Sequence, residues 1–182
     1  MLKTYTKRVF AETLQNMTKK MSFEKIRVKD ICEQVGCDRQ TFYYHFRDKY
    51  DLAAWIFTKD YENSLQLTNG VFLEEHAAET LRKMYEHRHF YRKAFTDKSQ
   101  NAVSKYVYDY FVNLGSEAVK NMQNTDTIDK ETLYFIKSHT FACVGHTIEW
   151  LCGEADYTPE EFAHLQYMTM PLILKKAYGI NS

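Results

Sequence analysis

Residues 26–52 read IRVKDICEQVGCDRQTFYYHFRDKYDL, and this stretch decides the fold of the first part of the chain. Apolar side chains recur three and four residues apart at Val28, Ile31 and Val35, which is the spacing of one face of a short helix. Gly36 follows directly, and glycine readily adopts the left-handed backbone conformation that ends a helix in a tight turn. The pattern predicts a short helix that stops at a glycine turn.

A second short helix is predicted after the turn. Asp38 stands at its start, where a carboxylate can accept a backbone N–H of the first helical turn. Phe42 and Phe46 lie four residues apart and therefore share its inner face. Asp48 can cap a longer helix in the same way. A first helix is predicted over residues 6–20, so that three helices can enclose one apolar core.

Two short helices joined by a glycine turn form a helix-turn-helix, whose second helix enters the major groove of DNA. Arg39 and Gln40, at the start of that helix, match the hydrogen-bonding edges of guanine and adenine. Tyr44 can pack on a thymine methyl group. Phosphate contacts are expected from hydroxyl, imidazole and ammonium donors at Thr41, Tyr43, His45 and Lys49. The alternative is that Tyr43 and His45 only pack on the first helix.

Charge is unevenly distributed along the chain, although its formal net charge is zero. Residues 1–60 carry 12 Lys or Arg side chains against 8 Asp or Glu side chains, whereas residues 61–182 carry 12 against 16. A basic region attracts the phosphate backbone, so the amino-terminal part is the candidate for binding nucleic acid.

The stretch 26–52 resembles the signature of the TetR family of transcription regulators. The matching positions include the turn glycine, Thr41, Phe42, Tyr43, His45, Phe46, Lys49 and Leu52. The resemblance implies a helix-turn-helix head over residues 1–50 and a helical body for ligand binding and dimerisation over residues 51–182. It places DNA contacts at Lys29, Gln40, Thr41, Tyr43, Tyr44, His45 and Lys49. Arg27 departs from the family pattern, because Ser or Thr usually caps the second helix there, but the arginine can itself reach a phosphate.

The remainder of the chain also reads as helical, and strand-type alternation is hard to find, so the sequence predicts an all-α protein. The predicted body helices lie near residues 74–94, 100–121, 129–152 and 159–178. The last has the clearest start, with Thr158 as N-cap, Pro159 at the first position and Glu161 completing a capping box. Pro171 should interrupt this helix, because proline lacks the N–H that a helix interior needs.

Part of the body is similar to a subgroup of the TetR family that includes activators of dihydroxyacetone kinase operons. The similar segments are residues 49–57, 145–151 and 158–161. Members of that subgroup use a kinase-like protein as their sensor. The main expectation is a repressor that responds to a small-molecule effector, and this resemblance implies the alternative of an operon activator that acts with a protein co-sensor.

Aromatic side chains are dense in the body, and several tyrosine hydroxyls there need hydrogen-bond partners, which favours a cavity for a planar or apolar effector. The candidate lining residues are Tyr91, Phe95, Tyr106, Tyr110, His139, Cys143 and His146. Core packing is the alternative. His139, Cys143 and His146 share one helical face, as metal ligands can, but such residues more often line a core or a pocket. We therefore predict no metal and no cofactor.

Apolar residues on the last two predicted helices suggest a dimer interface of four helices, two from each subunit. The candidate interface residues are Phe135, Phe141, Ile148, Leu151, Phe162, Leu165, Thr169, Leu172 and Ile173. The same residues can instead pack within one chain. A homodimer is expected, since its two-fold symmetry matches a pseudo-palindromic operator.

Other classes of protein find little support in the sequence. The amino terminus has no apolar signal segment, and no apolar run is long enough to cross a membrane. The four cysteines have neither CxxC nor zinc-finger spacing and are expected to be buried thiols. Hydrolase, nucleotide-binding and metalloprotease motifs are missing, so no enzyme is predicted. The expected protein is a cytoplasmic regulator that binds double-stranded operator DNA, and a DNA-binding architectural protein is the remaining alternative.

Overall fold

The computed structural model describes residues 2–67, 74–98 and 102–180, and within these ranges the chain forms helices and no strand. The all-α prediction is confirmed. The helices are α1 Leu2–Lys20, α2 Val28–Val35, α3 Arg39–His45, α4 Lys49–Leu67, α5 Glu74–Glu86, α6 Arg88–Phe95, α7 Val103–Gln123, α8 Lys130–Cys152, α9 Pro159–Met168 and α10 Leu172–Ala177. A 3-10 turn, Phe23–Lys25, lies between α1 and α2.

The chain divides into two compact units. The first comprises the residues up to Lys59 together with His87–Tyr106, and the second comprises Asp60–Glu86 together with the residues from Val107 onward. The first unit therefore contains α6 in addition to the predicted head helices. The division into a head over residues 1–50 and a body over residues 51–182 remains a functional proposal.

Three aromatic rings hold α1 and α3 together in the first unit. Phe10 of α1 lies edge-on to Phe42, with ring centroids 5.2 Å apart, and its centroid is 6.3 Å from that of Phe46. All three side chains are buried. Because a buried phenylalanine contributes about 2–3 kcal/mol through the hydrophobic effect, this cluster holds the inner face of α3 on α1 and leaves the polar face outside.

A lysine joins α6 to the end of α1. The Lys93 ammonium donates hydrogen bonds to the carbonyl oxygens of Thr18 and Met21. Carbonyl groups at a helix carboxyl end lack intrahelical partners and carry partial negative charge, so a cation stabilises them. This contact is one of those that hold α6 in the first unit, although Lys93 lies 75 residues after Thr18.

In the second unit, α8 runs antiparallel to α9. Trp150 packs against Phe162 with ring centroids 5.4 Å apart, and one helical turn earlier Thr147 accepts a hydrogen bond from Gln166 at 3.5 Å. The predicted capping box at the start of α9 is confirmed. The Thr158 hydroxyl accepts the Glu161 N–H at 3.1 Å, and the Glu161 carboxylate accepts the Thr158 N–H at 2.9 Å.

Helix α7 approaches α8 and α10 closely at Gly115. A Cβ atom at this position would lie 3.1 Å from the Leu174 side chain and 3.2 Å from that of Ile136. Both neighbours are buried in the core of the second unit, so neither has room to withdraw. A larger residue at this position would force the Leu174 and Ile136 side chains to shift by a few tenths of an ångström, so glycine suits the close packing of these three helices.

Several helix limits differ from the sequence prediction. The predicted helix over 74–94 divides at His87, whose backbone angles of −101° and 27° separate α5 from α6. The predicted helix over 159–178 is interrupted at Pro171, as expected. The first helix already begins at Leu2. The start of the helix predicted over 100–121 falls partly outside the described residues, and α7 runs on to Gln123.

The cysteines are less buried than the sequence suggested. Cys32 is buried, but Cys37, Cys143 and Cys152 are partly exposed, and all four are free thiols. The expectation of four buried thiols was therefore wrong for three of them. Helical spacing places a cysteine on a face, but the depth of that face depends on what packs against it.

Candidate nucleic-acid interface

The turn between α2 and α3 is built on Gly36. Its φ of 76° and ψ of 35° lie in the left-handed region, and its N–H donates to the Cys32 carbonyl oxygen at 2.9 Å. The N–H of Cys37 donates to the same oxygen at 3.0 Å. These bonds satisfy the end of α2 and redirect the chain into α3, so the predicted glycine turn is confirmed.

Replacing Gly36 with alanine is expected to lower the free energy of unfolding by about 1–2 kcal/mol, because a Cβ is disfavoured in the left-handed region. No atom lies within 4 Å of the position that this Cβ would take, so the loss arises from the backbone alone. Urea denaturation measures it. Gly36→Asn is the control, since asparagine tolerates this conformation. Equal stability of the alanine variant and the parent would contradict the argument.

The amino end of α3 is capped by Asp38. Its carboxylate accepts the backbone N–H of Thr41 at 2.7 Å and the Thr41 hydroxyl at 2.7 Å. The N–H bond, followed by the hydroxyl bond, lowers the pKa of Asp38, so the carboxylate stays charged at the positive end of the helix dipole. Asp48 caps α4 similarly by accepting the N–H groups of Tyr50 and Asp51, each at 2.8 Å. Both predicted caps are confirmed.

The outer face of α3 carries most of the predicted DNA-reading side chains. Arg39 and Gln40 are exposed in its first turn, and Tyr43 and Tyr44 keep 55% and 66% of their surface accessible. His45 is half-buried, with its ring centroid 6.2 Å from that of Phe10 and 5.0 Å from that of Tyr44. His45 thus packs in part on the first helix, and Tyr43 does not. The exposed face contains polar and aromatic groups suited to base edges and phosphates.

Two basic residues lie at the start of α2. Arg27 precedes the helix, and the cap comes from Asp30, whose carboxylate accepts the Arg27 backbone N–H at 3.0 Å. A guanidinium has no acceptor atom and contributes nothing to that cap, so the exposed Arg27 side chain can reach a phosphate. Lys29 is also exposed and forms a surface ion pair with Glu33 at 3.4 Å. Such pairs are weak, and phosphate can replace the carboxylate.

Lys49 is placed differently from the prediction. Its ammonium donates three hydrogen bonds, to the carbonyl oxygens of Phe23 at 2.8 Å, Glu24 at 2.8 Å and Ile26 at 3.0 Å, and the residue is only 9% exposed. An ammonium has three N–H donors, and all three are used. Burial lowers the pKa of Lys49, and the carboxylates of Asp97, Glu24 and Asp48 oppose this shift. We therefore correct the assignment: this side chain joins the start of α4 to the 3-10 turn.

Arg47 is a basic residue two positions after the end of α3, and the sequence analysis missed it. Its side chain is 71% exposed, forms an ion pair with Asp51 at 3.3 Å and lies over the ring of Tyr106 at 5.3 Å. The hydrogen bond to Asp51 raises the pKa of Arg47. The available signal was its position directly after the recognition helix, beside the predicted cap Asp48.

The residues proposed for an effector pocket fall into both compact units. In the first unit, Tyr91 and Phe95 are fully buried and pack on Phe57 with centroid distances of 6.4 and 6.0 Å. They therefore belong to an aromatic core, in agreement with the alternative of core packing and not with a pocket. Tyr106 is half-buried, and the Arg47 guanidinium lies over its ring.

In the second unit, His139 and Cys143 lie side by side, with the sulfur 3.6 Å from the imidazole Nε2. Burial lowers the pKa of His139 and raises the pKa of Cys143 to about 12, so both are neutral near pH 7. Tyr110 packs on Tyr61, with centroids 5.9 Å apart. His146 is 66% exposed and pairs with Glu149 at 3.0 Å, so its assignment to a pocket was wrong.

Six exposed apolar side chains lie on α8, α9 and the start of α10, and they are here called the carboxy-terminal strip. Its members have between 42% and 74% of their surface accessible and are Tyr134, Phe135, Phe141, Leu165, Met168 and Leu172. Tyr134 and Phe141 are seven residues apart and share one face of α8. Ile148 continues that spacing and is half-buried, as is Ile173, while Thr169 is exposed.

Two residues predicted for a dimer interface are buried within the subunit instead. Leu151 is 6% and Phe162 is 3% exposed, and the Phe162 ring stacks on Tyr157 with centroids 6.1 Å apart. Both side chains are covered within the subunit and are not available to a partner, which corrects their assignment. Tyr134 and Met168 are exposed residues that the sequence analysis did not select.

The structure describes residues 2–67, 74–98 and 102–180. In those ranges, no group of three His, Cys, Asp or Glu side chains is arranged to hold a metal ion. Among the same residues, no helix combines the length and the apolar character needed to span a bilayer.

Comparisons with known proteins agree with this architecture. A family model described as a TetR-type "Transcriptional regulator C-terminal region" matches residues 73–171, which is more than half of the chain. The HTH-type dhaKLM operon transcriptional activator DhaS of Lactococcus lactis subsp. lactis is 25% identical over 115 residues, 57% of this chain and 62% of the relative. The chain thus matches less than two thirds of that relative's length.

A solved structure, the dihydroxyacetone kinase operon activator DhaS, is similar in fold. Its TM-score is 0.57 at 19% identity, and the superposition covers 97% of this chain and 98% of that one. The family match rests on the carboxy-terminal helices, independently of the helix-turn-helix at the other end. The chain belongs to the TetR family of transcriptional regulators.

Proposed function

We propose that this protein is a homodimeric, sequence-specific DNA-binding regulator that places α3 in the major groove. The observation that carries the proposal is the outer face of α3. Arg39, Gln40, Tyr43 and Tyr44 are exposed there, while Phe42 on the opposite side is buried. These polar and aromatic side chains do not pack in the core, and they can form hydrogen bonds and apolar contacts with base edges. No catalytic role is assigned to the chain, and a regulator of this kind acts in the cytoplasm.

The DNA contacts divide by chemistry. Arg39 and Gln40 are the proposed base readers, since a guanidinium and an amide can each form paired hydrogen bonds with guanine or adenine. Arg27 and Lys29 are proposed to bind phosphates, together with the donors on Tyr43 and His45. Arg47 joins this group because it is exposed just after the end of α3. Lys49 is left out, since its ammonium is already saturated by carbonyl oxygens.

Dimerisation is proposed through the carboxy-terminal strip. Large exposed apolar patches are uncommon on monomers and often mark interfaces. Gly145 lies four residues after Phe141, on the same face of α8, and supports the close approach of a second helix. A Cβ at this position would meet no atom within 4 Å, so nothing in the subunit requires glycine there, yet glycine inside a helix costs about 0.5–1 kcal/mol.

In the proposed dimer, two recognition helices lie about 34 Å apart, one turn of DNA, and bind a pseudo-palindromic operator. A gel-shift series tests this, with the operator and unrelated competitor DNA compared at several salt concentrations. Preference for the operator at moderate salt is expected. Equal binding to both DNAs at every salt concentration would count against sequence-specific regulation.

The signal that controls DNA binding has two candidates. The main proposal is a repressor released by a small-molecule effector, which must bind the two conformations of the regulator with different affinity. The second is an operon activator that works with a protein co-sensor. The names of the two similar proteins favour the activator role and do not mention the co-sensor. Native mass spectrometry of the purified protein distinguishes them. A retained small molecule supports the first, and an unliganded dimer that binds its operator only with a second protein supports the second.

Gln40→Ala and Lys29→Ala are expected to affect DNA binding differently. Loss of a bidentate base contact should remove about 1–3 kcal/mol of discrimination at one base pair. Loss of a phosphate contact should weaken binding to all sequences alike. The slope of the logarithm of the binding constant against the logarithm of the salt concentration should become shallower by about one. Binding to operators with single base-pair changes measures both effects. Lys130→Ala, in the second unit, is the control, and identical behaviour of the Gln40 and Lys29 variants would contradict the assignment.

A further inference from the structure

Two cysteines face each other across the helix-turn-helix turn. The carbonyl oxygen of Cys32 accepts the N–H groups of both Gly36 and Cys37, at 2.9 and 3.0 Å. The bond from Cys37 is the one that closes a Schellman motif, in which the residue after the glycine folds back over the helix, and the bond from Gly36 is that of the simpler left-handed cap. The Schellman motif commonly brings together the side chains of the two residues that occupy the positions of Cys32 and Cys37. The turn that orients α3 therefore brings two thiols together.

The two thiols have different surroundings. Cys32 is 3% exposed and lies in the core of the first unit, whereas Cys37 is partly exposed. Burial first, and then the neighbouring Cys37 thiol, raise the pKa of the Cys32 thiol to about 11. Cys37 is therefore the thiol that a dissolved oxidant meets, and Cys32 is the second thiol held beside it.

We propose that Cys32 and Cys37 form a reversible disulfide under oxidising conditions and that this bond displaces the start of α3. Cytosolic disulfides are rare, and those that exist are mostly transient and redox-sensing. A peroxide is the class of oxidant that fits a partly exposed thiol beside a second one.

The reaction balances with one peroxide per disulfide. The Cys37 sulfur attacks a peroxide oxygen, the O–O bond breaks, and the products are a Cys37 sulfenic acid and water. The Cys32 sulfur then displaces the hydroxyl group of the sulfenic acid, which leaves as a second water with the Cys32 proton. Two thiols lose two electrons in total, and the peroxide gains them. A dithiol reductant reverses the change by thiol–disulfide exchange.

The displacement follows from the geometry of the bond. An S–S bond is about 2 Å long, shorter than any contact between unbonded sulfurs, so one thiol must move towards the other. Cys32 is held by the core, and the movement therefore falls on Cys37 in the turn. Asp38, the cap of α3, is the next residue, and its bond to the Thr41 N–H is only 2.7 Å long. Moving Cys37 disturbs this cap and the adjacent Arg39.

Peptide mapping of the full chain tests the bond. Trypsin cleaves after Lys29 and Arg39, so the peptide covering residues 30–39 contains both cysteines. After treatment with hydrogen peroxide this peptide is expected to lose two hydrogen atoms, to resist alkylation, and to recover with dithiothreitol. The peptide covering residues 138–175 contains Cys143 and Cys152 and serves as an internal control. These two are nine residues apart on α8, about 13 Å along its axis, and cannot be bridged.

Cys37→Ser should abolish the change while leaving the buried Cys32 in place, which avoids the risk that a change at Cys32 unfolds the head. The proposal is overturned if peroxide converts Cys37 to a sulfinic or sulfonic acid while Cys32 still reacts with an alkylating agent. It is also overturned if the peptide covering residues 30–39 keeps both hydrogens at peroxide concentrations that oxidise the methionines.

The effect on α3 is measured separately and rests on the proposed DNA-binding function. Operator affinity of the oxidised protein should fall about tenfold, roughly the value of one base contact, and should return after reduction. Unchanged affinity in a sample whose disulfide is complete would overturn the predicted displacement. If the reduced protein binds no operator at all, the proposed function fails, and peptide mapping still decides whether the disulfide exists.

Discussion

Replacing Lys49 with methionine is expected to lower the free energy of unfolding by about 2–4 kcal/mol. Hydrogen bonds to a charged group contribute more to stability than neutral ones, and a buried acceptor is costly to leave unpaired. The change removes three donors at once, and the carbonyl oxygens of Phe23 and Ile26 that lose them are buried. Methionine retains most of the apolar length of the side chain, so lost packing contributes little. Urea denaturation gives the difference.

The control for this variant is Lys29→Met, which makes the same chemical change at an exposed position. Its stability should stay within about 0.5 kcal/mol of the parent. The two variants also separate a structural role from a DNA contact. A Lys49→Met protein that unfolds like the parent but binds all DNA sequences weakly would mean that Lys49 leaves the carbonyl oxygens to touch phosphate, contrary to the assignment made here.

Phe141→Glu is expected to convert the proposed dimer into monomers. Phe141 is 74% exposed and lies on the same face of α8 as Tyr134. A carboxylate buried without a partner in an apolar interface costs several kcal/mol. The dissociation constant of the dimer should therefore rise at least about a hundredfold. Operator affinity should fall in parallel, because one subunit contacts only half a site. Analytical ultracentrifugation measures the subunit equilibrium.

Met122→Glu is the matched control, since Met122 is an exposed apolar residue of α7 in the same unit, at 41% exposure, and lies outside the carboxy-terminal strip. It should leave both assembly and stability unchanged. A Phe141→Glu protein that sediments as a dimer at low micromolar concentration would move the interface away from this strip and leave the head proposal standing.

The local parts of the head were predictable because their signals lie within a few residues of one another. Gly36, Asp38 and Phe42 belong to a turn, a cap and an inner face, each defined by spacing along one short segment. Lys49 was not predictable in this way. Its three acceptors lie 23 to 26 residues earlier in the chain, and only the folded arrangement brings them around one ammonium.

The body shows the same limit on a larger scale. Helical spacing identifies Leu151, Phe162 and Leu165 as apolar residues on a face, but it does not say whether that face meets its own subunit or another. The break at His87 left no signal either, because the apolar spacing continues from Met84 to Tyr91 and no proline or glycine marks the position. The break at Pro171, by contrast, was predictable, because proline lacks a backbone N–H whatever its surroundings are.

The two bonds between Thr41 and Asp38 affect how a threonine in this position can meet DNA. A hydroxyl group has one proton, and here it points at a carboxylate. To donate that proton to a phosphate oxygen, Thr41 must first rotate away from Asp38, so docking exchanges one anionic acceptor for another and gains little enthalpy. The Thr41 methyl group is subject to no such exchange, and affinity at this position should respond more to the loss of that methyl than to the loss of the hydroxyl.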